Sequence, residues 1–345
     1  MKKFSILFFL VTHVVSSFSQ SVFNEIYLGD SNNYSLPIRS IETDAENNTY
    51  ALFAKFDSGF RGYVLKKYSP DGVELASYER PSSTQLWAGE WKPFVYHEKE
   101  QQVIHTYSYS NDSLVCLERL NTNLELEQNT CFNCGPNSEA ATIDLLNDSL
   151  LFLTCTSDEI GRPTETDAFL MLINIRTNTI VWKRNLGVDS LSEYSPNITV
   201  FDNKALVSYR DEKSFSVNAA IYHRQGYPME QKYFPELNFM FWSKNQRNHD
   251  YINAIANVGS IFTNDGVTVL RLNAADLTIE DSATYLAEHR AFAINSYFQN
   301  GLLYTPGYTD FQDSSFLLIT DAFTGDSLDI KWYNRLEEFN ESYLA

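Results

Sequence analysis

Phe169-Leu-Met-Leu-Ile-Asn-Ile-Arg-Thr-Asn178 decides the fold, because five other stretches of the chain repeat its design of an apolar strand followed by a polar turn. The others are Tyr63 to Gly72, Leu114 to Asn123, Ala219 to Gly226, Val267 to Asp276 and Phe316 to Gly325. Their last residues, Gly72, Asn123, Asn178, Gly226, Asp276 and Gly325, stand 51, 55, 48, 50 and 49 residues apart. Gly, Asn and Asp suit those places because tight hairpin turns call for positive φ, which these residues tolerate best. Each copy therefore reads as the start of a hairpin. Upstream of most copies lies another apolar run, such as Tyr50 to Ala54, Leu150 to Leu153, Ala205 to Val207 or Leu302 to Tyr304. Before that comes a weaker strand, as in Ala141 to Leu146 followed by Asn147-Asp148. The second and third strands of a repeat are almost continuously apolar, the pattern of strands covered on both faces.

Four strands at a period near 50 residues is the arithmetic of a propeller blade. The expectation is an all-β chain, a six-bladed β-propeller with four antiparallel strands per blade. The 55-residue spacing leaves room for a seventh, degenerate blade. Phe23 to Gly29, Ile41 to Ala45 and Tyr63 to Gly72 resemble propeller repeats of exported proteins from Bacteroidetes-type bacteria. Asn174-Ile-Arg-Thr-Asn-Thr-Ile-Val-Trp182 resembles a unit of the PQQ-type propeller, whereas the fourth strands Val73 to Ser77 and Ile279 to Ala283 lack the matching Trp. For closure of the ring, Phe23 to Gly29 is expected to join the last blade beside the outer strand Leu328 to Trp332.

The chain opens with Lys2-Lys3, an apolar run from Phe4 to Val15, and Ser17-Phe18-Ser19 before Gln20. Residues 1–19 read as a secretory signal peptide and 20–345 as one propeller domain. The apolar run is too short for a membrane span, and no cysteine stands near the cleavage point to take a lipid. The expected location is the periplasm, the outer surface or the medium. Formal charge is −18, or −20 without Lys2 and Lys3, and no basic cluster interrupts it, which excludes nucleic acid as a partner.

Four cysteines, Cys116, Cys131, Cys134 and Cys155, fall within the second and third repeats. Cys131-Phe-Asn-Cys134 precedes Gly135-Pro136 and reads as a loop staple closed by a Cys131–Cys134 disulfide, beside readings as buried thiols, a metal site or a redox pair. His249-Asp250 and His289-Arg290 are placed ahead of the first strands of blades 5 and 6, where His249 and Arg290 would face the channel. Gln85 to Trp91 and Phe239 to Trp242 read as connections standing opposite each other on one face. Trp87, Trp91, Phe241 and Trp242 would there stack on a ligand or else plug the ring. No phosphate loop, nucleophile elbow, zinc pair or calcium loop occurs, so neither cofactor nor metal is expected. Asn-x-Ser/Thr triplets would matter only in a eukaryotic secretory pathway, and the Asp-Ser-Leu stretches read as turns.

Two functions compete on this scaffold, since the fold alone does not choose. The first is a non-catalytic binding module for an extracellular or periplasmic glycan or protein. The second is a glycan hydrolase or lyase, which requires two carboxylates, or a carboxylate and a His, converging in a concave pocket.

Overall fold

A computed structural model describes residues 38–57, 60–80, 86–87, 92–109, 112–159, 162–187, 192–211, 216–242, 250–258, 266–293, 296–309 and 314–334. Six antiparallel sheets follow one another along the chain and form a ring of six blades. Blade 1 holds β1 (Ile38–Thr43), β2 (Thr49–Asp57), β3 (Phe60–Tyr68) and β4 (Glu74–Arg80). Blade 2 splits its innermost strand into β5 (Leu86–Trp87) and β6 (Phe94–His97), then adds β7 (Gln102–Tyr109), β8 (Leu114–Asn121) and β9 (Leu126–Asn133). Blade 3 is β10 (Glu139–Asn147), β11 (Leu150–Glu159), β12 (Arg162–Asn174) and β13 (Thr179–Asn185). Blade 4 is β14 (Glu193–Phe201), β15 (Lys204–Asp211), β16 (Val217–His223) and β17 (Pro228–Phe234). Blade 5 is β18 (Leu237–Trp242), β19 (Tyr251–Val258), β20 (Val267–Asn273) and β21 (Ile279–Tyr285). Blade 6 also divides its first strand, into β22 (Ala291–Ala293) and β23 (Tyr297–Gln299), before β24 (Leu302–Thr309), β25 (Ser314–Asp321) and β26 (Ser327–Asn334). The only helical turn among the described residues is the 3-10 turn Ala287–His289.

Every quoted repeat is the third strand of a blade with the turn that follows it, so the expected four-stranded blade is what forms. Side chains alternate along the middle strands, one set facing the previous blade and one the next. Leu206 of β15 packs with Ile252, Ala254 and Leu270 of blade 5, and Phe152 of β11 packs with Ala205 and Val207 of blade 4. The seams are knit further by polar side chains of the second strand reaching the innermost strand of the next blade. Ser108 Oγ accepts from Ala140 N–H at 3.0 Å, and Thr154 Oγ1 donates to Pro196 O at 3.2 Å. Ser208 Oγ donates to Met240 O at 2.7 Å, and the Asn257 amide bonds both N–H and C=O of Ala293. Each such bond is worth about 1 kcal/mol net.

One irregularity recurs in all six blades. The outer strand bulges close to its start, at the third residue of β13 and the second of the other five, leaving Leu75, Glu127, Val181, Met229, Glu280 and Leu328 without a partner in the ladder. The turns preceding these bulges confirm positive φ at Gly72, Asn178, Gly226 and Gly325. In blades 2 and 5 the expectation is corrected: Leu124 and Leu277, not Asn123 and Asp276, take the left-handed conformation. Both leucines are buried in seam cores, and burial of a leucine side chain at about 2 kcal/mol offsets the backbone cost.

The cysteine pairing is also corrected. Cys116 bonds Cys131 and Cys134 bonds Cys155, so Cys131 and Cys134 do not bond each other. Cys131 is not in a loop; it lies in β9 directly opposite Cys116 of β8. Cys134 follows that strand and crosses the seam to β11 of blade 3. The segment Phe23 to Gly29 lies outside the described residues, and the face of blade 1 turned away from blade 2 buries Ala51, Phe53, Val64 and Tyr68.

Candidate functional site

The seam between blades 3 and 4 does not fill completely. Between the outer strand β13 and the sheet of blade 4 a groove of about 570 Å³ opens, within the usual size of a ligand pocket. At its inner end, the first residue of β14 and the last of β15 are Glu193 and Asp211, direct partners in the ladder. Both are buried, at 1% and 8% exposure. Glu193 rests on Gly187, where a Cβ would collide with the carboxylate. Gly187 is itself held by its N–H donating to Asn185 Oδ1 at 2.8 Å.

The groove floor carries Tyr209 and Tyr222, whose phenols burial pushes above their ordinary range; at Tyr209 the neighbouring Tyr222, Glu193 and Asp211 push the same way. Asn218, opposite Tyr209, and Gln231 add amides. Arg184 closes the outer end, its Nε–H donating to Gly226 O at 2.9 Å. Gly226 needs to be glycine twice over: its φ is +85°, and a Cβ there would strike the Trp182 ring. That indole donates Nε1–H to Arg224 O at 2.9 Å and so pins blade 3 to the turn of blade 4. At the mouth, Tyr227 is half exposed and lies stacked on His223, with centroids 4.7 Å apart.

A second polar cluster is sealed inside the seam between blades 1 and 2. Glu118 of β8 is fully buried and accepts from Tyr63 Oη, from Tyr78 Oη at 3.1 Å and from Arg80 Nη1. The Arg80 guanidinium also covers the Tyr107 ring at 4.4 Å and donates to Tyr109 Oη at 2.8 Å. His105, the ladder partner of Glu118, is fully buried against the Tyr63 ring at 4.1 Å. Neither of its ring nitrogens has a hydrogen-bond partner among the described residues, although Nδ1 stands 3.9 Å from Glu118 Oε2. Burial, then the Arg80 charge, lowers the imidazole pKa to about 3.

The residues singled out from sequence are not brought together. Phe241 and Trp242 are not in a connection; they belong to β18, the innermost strand of blade 5, and are buried at 1% and 2%. Trp242 packs into the seam with blade 4, so it serves as core, and its indole N–H finds no acceptor among the described residues. Trp87 likewise lies in a strand, β5, opposite Ser108. Trp91 and His249 lie outside the described residues. Asp250 is placed between the first and second strands of blade 5 rather than ahead of the first. Arg290 does precede β22, exposed and with φ 46°, away from the groove. Among the described residues no group of three or more His, Cys, Asp or Glu is placed to hold a metal ion, and no helix is long and apolar enough to cross a membrane.

The groove residues escaped sequence reading because they come from five strands and two connections. One signal was present. Tyr209-Arg210-Asp211 ends a second strand and Glu193-Tyr194 begins the first, and an antiparallel pair sets those ends side by side. Glu118 was visible too, as a charge within the apolar run Leu114 to Leu120.

No family pattern and no curated protein matches the sequence. The fold is similar to solved structures at low identity. Acylaminoacyl peptidase of Pyrococcus horikoshii matches 87% of this chain at TM-score 0.53 and 8% identity, and the chain spans 46% of that enzyme. An acylaminoacyl peptidase in complex with Z-Gly-Gly-Phe-chloromethyl ketone matches 88% of this chain and 46% of its own at TM-score 0.54 and 8% identity. A subtype N10 neuraminidase-like protein of A/little yellow-shouldered bat/Guatemala matches 81% of this chain and 93% of its own at TM-score 0.53 and 8% identity. At such identity the likeness is one of architecture, and it places the chain among six-bladed β-propellers.

Proposed function

We propose that this protein is an exported, non-catalytic binding module that takes a glycan in the groove between blades 3 and 4. The carrying observation is the lining of that groove: an exposed aromatic plate at the mouth, amides along the wall and carboxylates at the inner end. Sugar rings present flat C–H faces and dense hydroxyls, and they call for that combination of stacking surface and paired hydrogen-bonding groups. Export is supported by the signal-like start and by the engagement of all four cysteines in disulfides, which persist in oxidising compartments.

The ladder pairing of Glu193 with Asp211 favours a second reading, a glycan hydrolase, because two carboxylates at one cavity are what acid and base or nucleophile roles require. A glycan array, run with peptide ligands and a general glycosidase assay, separates the two. Tyr227→Ala is expected to weaken glycan binding by about 1–3 kcal/mol while shifting unfolding by less than about 0.5 kcal/mol. Turnover abolished by Glu193→Gln would establish the hydrolase instead. Peptide binding without glycan binding would replace the ligand class.

A further inference from the structure

We infer that the glycan taken by this groove is an extended, ribbon-like chain of several units, gripped by Tyr227 and Tyr233 at the two ends of the outer strand β17, and not a single sugar. The inference rests on the glycan reading of the groove and adds the ligand's length and shape. Tyr227 lines the groove from the turn just before β17. At the other end of the strand, Tyr233 lies directly across the ladder from Asn218, as Gln231 lies across from Ala220. Asn218 and Gln231 both line the groove. Ladder partners share a face of the sheet, and so do residues two apart along one strand, which puts Tyr233 on the groove face as well. Each of the two tyrosines is 49% exposed.

Both rings are held in place. Tyr227 is stacked on His223, and Tyr233 Oη donates to Ser216 Oγ at 3.0 Å. An aromatic ring so fixed offers contact area at little cost in conformational entropy. The two are six positions apart in the chain, with one residue taken up by the bulge at Met229; at about 3.3 Å per residue they stand about 17–20 Å apart. One sugar ring does not reach both. Between them the groove lies open along its side, since Arg184 and Asn185 of β13 and Gln231 of β17 line it and are exposed. Its walls are strands, so the trough follows an extended path. A β-1,4-linked chain is extended in the same way, turning its flat faces toward the tyrosines and its hydroxyl-bearing edges toward the amides. An α-1,4-linked chain coils and leaves such a trough after its first units.

The test is calorimetric titration of the folded protein with β-1,4-linked oligomers of glucose, mannose, xylose and N-acetylglucosamine, from monomer to hexamer, beside the α-1,4-linked glucose dimer and hexamer. In at least one β-linked series the hexamer is expected to bind about tenfold tighter than the dimer or better, because a chain already seated on one tyrosine meets the second at high effective concentration. The α-linked hexamer should show no such gain over its own dimer. Tyr233→Ala should remove the gain while binding of the β-linked dimer at Tyr227 persists, which also certifies that the variant is folded. Tyr233→Phe, which keeps the ring and gives up the bond to Ser216, should retain the gain. Affinity already complete at the monomer or dimer, an equal gain in the α-linked pair, or a gain that survives Tyr233→Ala overturns the extended chain and leaves the glycan reading standing. Binding of none of these sugars overturns both.

Discussion

The seam between blades 1 and 2 and the seam between blades 4 and 5 use opposite materials at the same rung. In blade 5 the rung is Ala254 opposite Leu270, both in an aliphatic core. In blade 2 the corresponding rung is His105 opposite Glu118, locked by Tyr63, Tyr78 and Arg80 from blade 1. Blade 3 has Leu153 opposite Met171 there and blade 4 has Val207 opposite Ala220, so the polar rung departs from its neighbours in the ring. Both seams exclude water equally well. The difference lies in tolerance: an aliphatic seam accepts any side chain of the right volume, whereas a buried carboxylate holds its place only with every donor present.

That contrast is open to direct attack. The largest effect is expected from Glu118→Ala, which strands the Arg80 guanidinium and two tyrosine hydroxyls; denaturant unfolding should show a loss of about 3–5 kcal/mol. Leu270→Ala, at the matching rung of blade 5, should cost about 2–4 kcal/mol through lost burial and a residual cavity. If Glu118→Ala costs the less of the two, the polar seam does not depend on its carboxylate.

Acid separates the seams next. Unfolded His takes up its proton near pH 6.5, and folded His105 only near 3, so protons bind the unfolded chain preferentially between those values. Stability carried by the neutral imidazole is therefore present above pH 6.5 and falls as pH drops toward 3, by about 3 kcal/mol at pH 4. His105→Leu should flatten the dependence of the urea midpoint on pH in that window. An unchanged slope would show that His105 is reached by water in solution. Removing the Cys116–Cys131 bond as a Cys116→Ala/Cys131→Ala pair, which releases a loop of sequence separation 15, is expected to cost about 3 kcal/mol at either pH.

The smallest change is the most telling. Replacing Arg80, His105 and Glu118 together by leucine converts the polar seam to the material of its neighbours, and the net effect should lie within about 1 kcal/mol of zero. A loss above about 3 kcal/mol would mean that the tyrosine hydroxyls need those charges more than the seam needs shape.

The repeat was legible because burial on both faces writes itself into consecutive residues, as in Phe169 to Ile173, and because turn residues recur at the blade period. What stayed hidden depended on register between distant strands. His105 and Glu118 are 13 residues apart, and nothing in either position names the other until β7 and β8 align. Cys131 was misread for the same reason, since its place opposite Cys116 follows from the length of the β8–β9 turn. The groove demanded still more, because Arg184 and Asp211 line one space only once two blades have packed. Phe241 and Trp242 mislead in the other direction: aromatic residues gathered near a blade junction look the same in sequence whether they line a surface or fill a core.

The bulge shared by six outer strands bears on how the molecule lives in company. Sheet rims are places where one chain can recruit another, since an unbroken row of amide and carbonyl groups is a template for a foreign strand. Leu75, Val181, Met229 and Leu328 stand at the bulges with about half their surface in water, and on straight edges such residues would invite fibrous growth. At each of the six outer rims the row is broken at the second or third residue, so an incoming strand loses step almost as soon as it begins to pair. The protein can thus be crowded at its place of work while its greasy outer corners remain without a partner to zip onto.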